Sequence, residues 1–198
     1  MVNYLKLSLA IAMACITAIS AQLSFKIGPV PYTMQNFAVM LSGLILGAKG
    51  GLLAVLIYIG MIAIGLPFAA GGGGIGVLIG PTSGYIYGFA VAAFLVGYLK
   101  KFSKRKISLW LSTVVASLPI YLLGFFVIYT YANMSPPLME RLTALSISLG
   151  FEGSATFLIF VSTVLIFVPQ DLFMDHVFAV VVYSYLSRIM VERGMKVD

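Results

Sequence analysis

Asp171, Asp175 and His176 open the last apolar run of the sequence, within Val168-Pro169-Gln170-Asp171 and the turn after it. An acid at a helix start is favoured by the helix dipole, which alone could account for Asp171. A carboxylate inside an apolar span is also, by default, a functional group. Its chemistry would be to accept hydrogen bonds from the N–H groups of a neutral ligand. Asp175 shares its face, four residues on. His176 is the only histidine. Metal ligation by these three is disfavoured, because neighbouring residues point about 100° apart on a helix. No metal is expected.

Two further segments are polar where an apolar chain needs no polarity. In Pro29-Val30-Pro31-Tyr32-Thr33-Met34-Gln35-Asn36, the prolines fix an extended turn and two amides then enter an apolar span. A buried amide without a partner costs about 1–3 kcal/mol. Gln35 and Asn36 therefore either bond between helices or form a polar wall for a ligand. The run Gly71-Gly72-Gly73-Gly74-Ile75-Gly76 is followed by Gly80-Pro81-Thr82-Ser83-Gly84. It reads as a flexible connector, or as a loop delivering a helix N-terminus whose free N–H groups attract an anion. Gly43 to Gly50 only faintly resembles a phosphate loop, since Gly50 replaces the needed Ser or Thr. No nucleophile with its base and orienting group is readable, so no enzyme is expected.

The elements that must position these groups follow from composition. Of 198 residues, 61% are hydrophobic and 9% charged. A soluble domain has about 45–50% apolar and about 25% charged residues, so lipid must be part of the solvent. The net charge of +6 is read as membrane orientation, not nucleic-acid binding. Cys15 stands alone, which excludes an internal disulfide. Six spans are predicted: residues 5–25, 31–46, 51–66, 82–99, 107–131 and 172–189. The fold class is thus an all-α integral membrane protein, one domain over residues 1–198, with six transmembrane helices. Gly47-Ala48-Lys49-Gly50 is a tight turn between spans two and three.

With both termini cytoplasmic, Lys6, Lys49, Lys100, Lys101, Lys104, Arg105, Lys106, Arg188, Arg193 and Lys196 fall inside. Only Lys26 and Arg141 fall outside, as retention of basic residues predicts. The long loops then lie outside, so a site would face outward. The segment 132–168 is expected as a folded, partly membrane-dipping loop; the alternative inserts residues 155–168 as a seventh span. Span one also carries a signal-peptide-like pattern. Its Ala10, Ala14 and Ala18 recur every four residues, a spacing that admits a close helix neighbour, inside the bundle or from another protein. Gly80, Gly84 and Gly88 repeat the spacing on span four and suit internal packing.

At this point the sequence resembles a known family. Gly28-Pro29-Val30-Pro31-Tyr32-Thr33-Met34-Gln35 is similar to its G-x-V-P-x-T-x-Q segment, and Leu46 to Gly51 to its LG-x-x-x-G turn. Gly65-Leu66-Pro67-Phe68-Ala69 and Gly80-Pro81-Thr82-Ser83-Gly84-Tyr85 resemble GLPVFA and GPTGGY. The family is BioY, the biotin-specific substrate subunit of energy-coupling-factor (ECF) transporters. The resemblance implies a plasma-membrane subunit that captures biotin on the outer face. A membrane coupling protein and two ATPases would drive uptake, with Ala10, Ala14 and Ala18 against the coupling protein. No cofactor is implied; biotin is the transported ligand. Asp171 would accept from the ureido N–H groups, with Gln35 and Asn36 adding polar contacts. Tyr32, Phe68 and Tyr85 would pack on the rings, and the loop with Gly73 and Gly74 would be a lid. The family's PGDL-x-K segment is altered, with Met174 at the lysine position and no arginine near the glycine loop. Lys26, His176 or the N–H groups of span four are the substitutes for those cations, which would meet the biotin carboxylate. The alternatives are another small vitamin or cofactor precursor as ligand, or a membrane enzyme.

Overall fold

The structure, a computed structural model, describes residues 4–193. Lys196, one of the cations assigned inside, lies outside them. The chain is mostly helical. Helix α1 (Tyr4–Gln22) leads to a short antiparallel pair, β1 (Ser24–Phe25) and β2 (Tyr32–Thr33). Helices α2 (Gln35–Ala63), α3 (Ile75–Leu78), α4 (Ser83–Leu99), α5 (Lys106–Met134) and α6 (Pro136–Ser148) come next. The last stretch runs through α7 (Ala155–Phe160), a π turn (Val161–Leu165), α8 (Val168–Gln170), a second π turn (Asp171–Asp175) and α9 (His176–Glu192). Among the described residues, five helical stretches are long and apolar enough to cross a membrane: Tyr4–Gln22, Gln35–Ala63, Ser83–Phe102, Lys106–Met134 and Ala155–Glu192.

The stretch Gln35–Ala63 is not straight. Gly47 has φ 70° and ψ −179°, the one non-helical residue inside it. A β-carbon on Gly51 would stand 2.7 Å from the Gly43 Cα. Residues eight apart on a straight helix are about 12 Å apart along the axis. The chain therefore folds back at Gly47, and Gln35 meets Tyr58. The turn expected at residues 47–50 is concentrated in this glycine, because only glycine takes positive φ without strain. Gly47→Ala is expected to cost about 1–3 kcal/mol. A fall of a few degrees in the melting temperature of purified protein would register it.

Two expectations change. The second span begins at Gln35, not at residue 31, because Pro31 and Tyr32 are held extended in and beside β2. The last helical stretch begins at Ala155, where Ser154 caps it by accepting from the Phe157 N–H. Residues 155–168 are thus neither a dipping loop nor a separate seventh span; they are the first part of the final helical stretch.

Helix α4 packs on α5 through glycines. A β-carbon on Gly88 would meet the Ile120 Cα at 2.5 Å, and one on Gly84 would run into the Leu123 carbonyl and Gly124. Without a hydrophobic driving force in lipid, such close backbone approach supplies the packing energy. The main core joins Ala14 and Ala18 of α1 to Val39, Leu44, Tyr58 and Ile62 of α2, and to Phe89, Ala93 and Val96 of α4. One end of the bundle gathers the Gly47 turn and the Lys100–Lys106 connection. There Lys100 Nζ donates to the Leu44 carbonyl at 2.9 Å and lies 5.2 Å from the Tyr183 ring centre. The other end gathers β2, the glycine loop and the start of the last helical stretch. There Gln22 donates to the Pro67 carbonyl, Tyr32 to the Ile166 carbonyl and Gln170 to the Thr33 carbonyl.

Candidate functional site

A pocket opens at this second end. Its floor and walls come from four stretches of chain. Gln35 and Asn36 start α2; Tyr85, Ile86 and Phe89 are on α4; Ile120 and Tyr121 are on α5; Phe167 and Asp171 belong to the last stretch. Val30, Pro31, Thr33, Ala69, Ala70, Val77 and Thr82 form the rim. The empty space is about 680 Å³, including the open mouth. The enclosed part is much smaller, about 90 Å³, below the roughly 300–1,000 Å³ of sites that hold a whole drug-sized ligand.

Asp171 is the centre of the polar network and is 3% exposed. One oxygen, Oδ2, accepts from Asn36 Nδ2 at 2.6 Å and from the Tyr121 hydroxyl. Three separate elements therefore converge on one carboxylate. Because Asn36 spends its N–H on Asp171, its Oδ1 is turned elsewhere, and that oxygen is buried with no donor. A second chain of bonds fixes Gln35. Its Nε2 donates to the Tyr58 hydroxyl at 2.6 Å, and Tyr58 donates to the Phe68 carbonyl at 3.0 Å. Thr33 donates to Gln35 Oε1 at 3.0 Å. These amides bond between elements, and both residues also line the pocket.

Aromatic rings brace the walls. Tyr32 is stacked between Phe25 and Phe167, with ring centres 4.9 Å and 4.3 Å away. Burial first, and then the negative charge of Asp171, raise the Tyr32 phenol above its ordinary pKa, which keeps it a neutral donor. Tyr85 donates to the Thr163 carbonyl at 2.7 Å. Both tyrosines use carbonyls in the interrupted part of the final helical stretch, where regular helical bonding leaves acceptors over.

Of the residues singled out from sequence, Gln35, Asn36, Tyr85 and Asp171 line the pocket. Tyr32 stands behind the rim, 8% exposed. Phe68 packs on the core and lends its carbonyl to Tyr58. Gly73 backs onto the Leu66 carbonyl, and Gly74, with φ 88°, begins α3. The loop is not loose, since Ala69 and Gly72 exchange backbone bonds of 2.9 and 3.0 Å. Lys26 is exposed beside Gly71. His176 is fully buried, absent from the pocket lining, with both ring nitrogens unpartnered. Ala10, Ala14 and Ala18 are buried within the chain against α2 and its neighbours, so that face is closed to an outside helix. Tyr121 and Phe167 were not singled out from sequence. Among the described residues, no group of three or more His, Cys, Asp or Glu could hold a metal ion.

Chemically, the pocket lining offers the Asp171 carboxylate as an acceptor, an aromatic wall and no cation. It fits a small, flat, neutral head group bearing N–H donors. Fold and site together define a multi-pass α-helical membrane protein with a small-molecule pocket at one end of the bundle. Comparison with known proteins places it further. A model of the BioY family matches residues 2–191. The probable biotin transporter BioY of Pyrococcus horikoshii is 35% identical over 162 residues, covering 75% of this chain and 97% of that protein. The biotin transporter BioY of Thermotoga maritima is 45% identical over 117 residues, covering 58% and 69%. A crystal structure of the S-component for biotin from an ECF-type ABC transporter superposes with a TM-score of 0.76 at 24% identity, covering 95% of both chains. That structure shares the fold. The chain belongs to the BioY family.

Proposed function

We propose that this chain is the biotin-binding subunit of an ECF-type importer in the cell membrane, and not an enzyme. It captures biotin on the outer face and passes it on for uptake driven by partner subunits, a membrane coupling protein and two ATPases. The relatives named as biotin transporters support this reading. The observation that carries it within the chain is the Asp171 carboxylate, held by Asn36 and Tyr121, at a pocket with an aromatic wall. A ureido ring presents N–H donors and a carbonyl in one plane; the donors match this acceptor. The apolar remainder of the ring system matches Tyr85, Phe89 and Phe167. Biotin is expected to bind the purified protein, one per chain, with Kd below about 1 μM, or about −8 kcal/mol. Isothermal calorimetry with a panel of other vitamins decides between biotin and a different cargo.

The proposed topology has six transmembrane helices. It counts residues 35–46 and 48–63 as two, on either side of the Gly47 turn. Both ends of the chain are then cytoplasmic. The exposed Lys49, Lys101, Lys104, Arg105 and Lys106 at the turn-bearing end support this orientation. Epitope tags at both termini are expected to be shielded from protease in intact cells and cut only after lysis. A terminus cut in intact cells refutes the arrangement.

A further inference from the structure

The pocket lining holds no lysine or arginine. The proposed cargo carries a carboxylate on a flexible tail, and an acid without a counter-charge or water is costly to bury. The tail must therefore leave the cup upward and meet its partner at the mouth. Two basic residues stand at that end, Lys26 between β1 and β2 and Arg141 on α6, and both are exposed. Arg141 borders a separate surface groove with Ile27, Gly28 and Pro29. Lys26 is placed differently. Its Nζ lies 3.5 Å from where a β-carbon of Gly71 would stand. Gly71 directly follows Ala69 and Ala70, which wall the pocket. Gly71, at φ 106°, holds a conformation that favours glycine, and the ammonium sits at ordinary contact distance from it. The chain offers Lys26 no carboxylate partner among the described residues, which leaves its charge free for a ligand.

We infer that Lys26 binds the ligand carboxylate at the pocket mouth and sets the preference for the acid over its amide. This inference rests on the biotin reading above. It assigns the two ends of the ligand to different physics: buried hydrogen bonds hold the head, and a solvent-facing ion pair holds the tail. An exposed pair of this kind is worth roughly fivefold in affinity, and salt weakens it.

The test is calorimetric titration of wild type, Lys26→Met and Lys26→Arg with biotin and with uncharged biotinamide. Wild type is expected to prefer biotin by about fivefold, with the preference shrinking at high salt. Lys26→Met is expected to lose it through weaker biotin binding alone, and Lys26→Arg to retain it. A Lys26→Met variant that keeps the wild-type preference overturns the inference, as does one that loses both ligands equally. A wild-type protein without any preference overturns it too. Failure of wild type to bind either compound instead removes the biotin reading on which it stands.

Discussion

Asp171→Ala is expected to weaken biotin binding by at least about 100-fold. Two effects act in the same direction. The ligand loses a charged acceptor, and hydrogen bonds to charged groups are worth about 1.5–3 kcal/mol. Asn36 Nδ2 and the Tyr121 hydroxyl both donate to Asp171 Oδ2, so each also loses its acceptor. Unpaired buried donors cost about 1–3 kcal/mol, although water entering the cavity recovers part of that. These terms are not additive, because the three side chains share one atom. A net loss near 3 kcal/mol is already about 100-fold. Asp171→Asn, which keeps the shape and one acceptor oxygen, falls between wild type and alanine. Calorimetry on folded, monodisperse protein measures both; affinity within threefold of wild type in Asp171→Ala would remove this residue from the binding mechanism.

Gly88→Val is expected to damage the bundle itself. The added β-carbon would meet the Ile120 Cα at 2.5 Å and the Pro119 carbonyl at 3.0 Å. Both are backbone atoms of α5, so no rotamer change relieves the clash, and the helices must separate. Overpacking typically costs about 1–3 kcal/mol and more where backbone must shift. A loss of about 3 kcal/mol corresponds to a fall of roughly 6–12 °C in Tm for a chain of this size. Gly60→Ala is the control. Gly60 lies in α2 with nothing within 4 Å of the new carbon, and the change should leave Tm level or slightly raised. Equal melting temperatures for Gly88→Val and wild type would show that α4 and α5 do not meet as closely as described.

Part of this architecture was legible in the sequence because polarity inside apolar runs is rare and expensive. Asp171, Gln35 and Asn36 stood out for that reason, and all three line the pocket. The Gly47 turn was legible from glycine spacing. Tyr121 was not, since an aromatic residue in an apolar span looks like core until its hydroxyl is seen to meet Asp171. Phe167 was hidden the same way. The direction of the Ala10, Ala14 and Ala18 face could not be read, because small residues serve internal and external neighbours alike. The early start of the final helical stretch was obscured by Gly150-Phe151-Glu152-Gly153, which comes after α6 and invites a loop reading of residues 155–168 as well. The cap at Ser154 was the available signal.

The two π turns of that stretch have a consequence for Asp171. A π turn takes up more residues than an α turn, and each extra residue rotates everything after it by about 100° relative to the helix before it. The turn at Val161–Leu165 precedes Asp171 and therefore fixes its bearing around the helix axis. The compass direction of this pocket acid is thus written upstream of it, in a run of Val, Ser, Thr and Leu that carries no charge. Removing a single residue from that run would keep the acid, its neighbours and its depth, yet swing the carboxylate away from Asn36 and Tyr121.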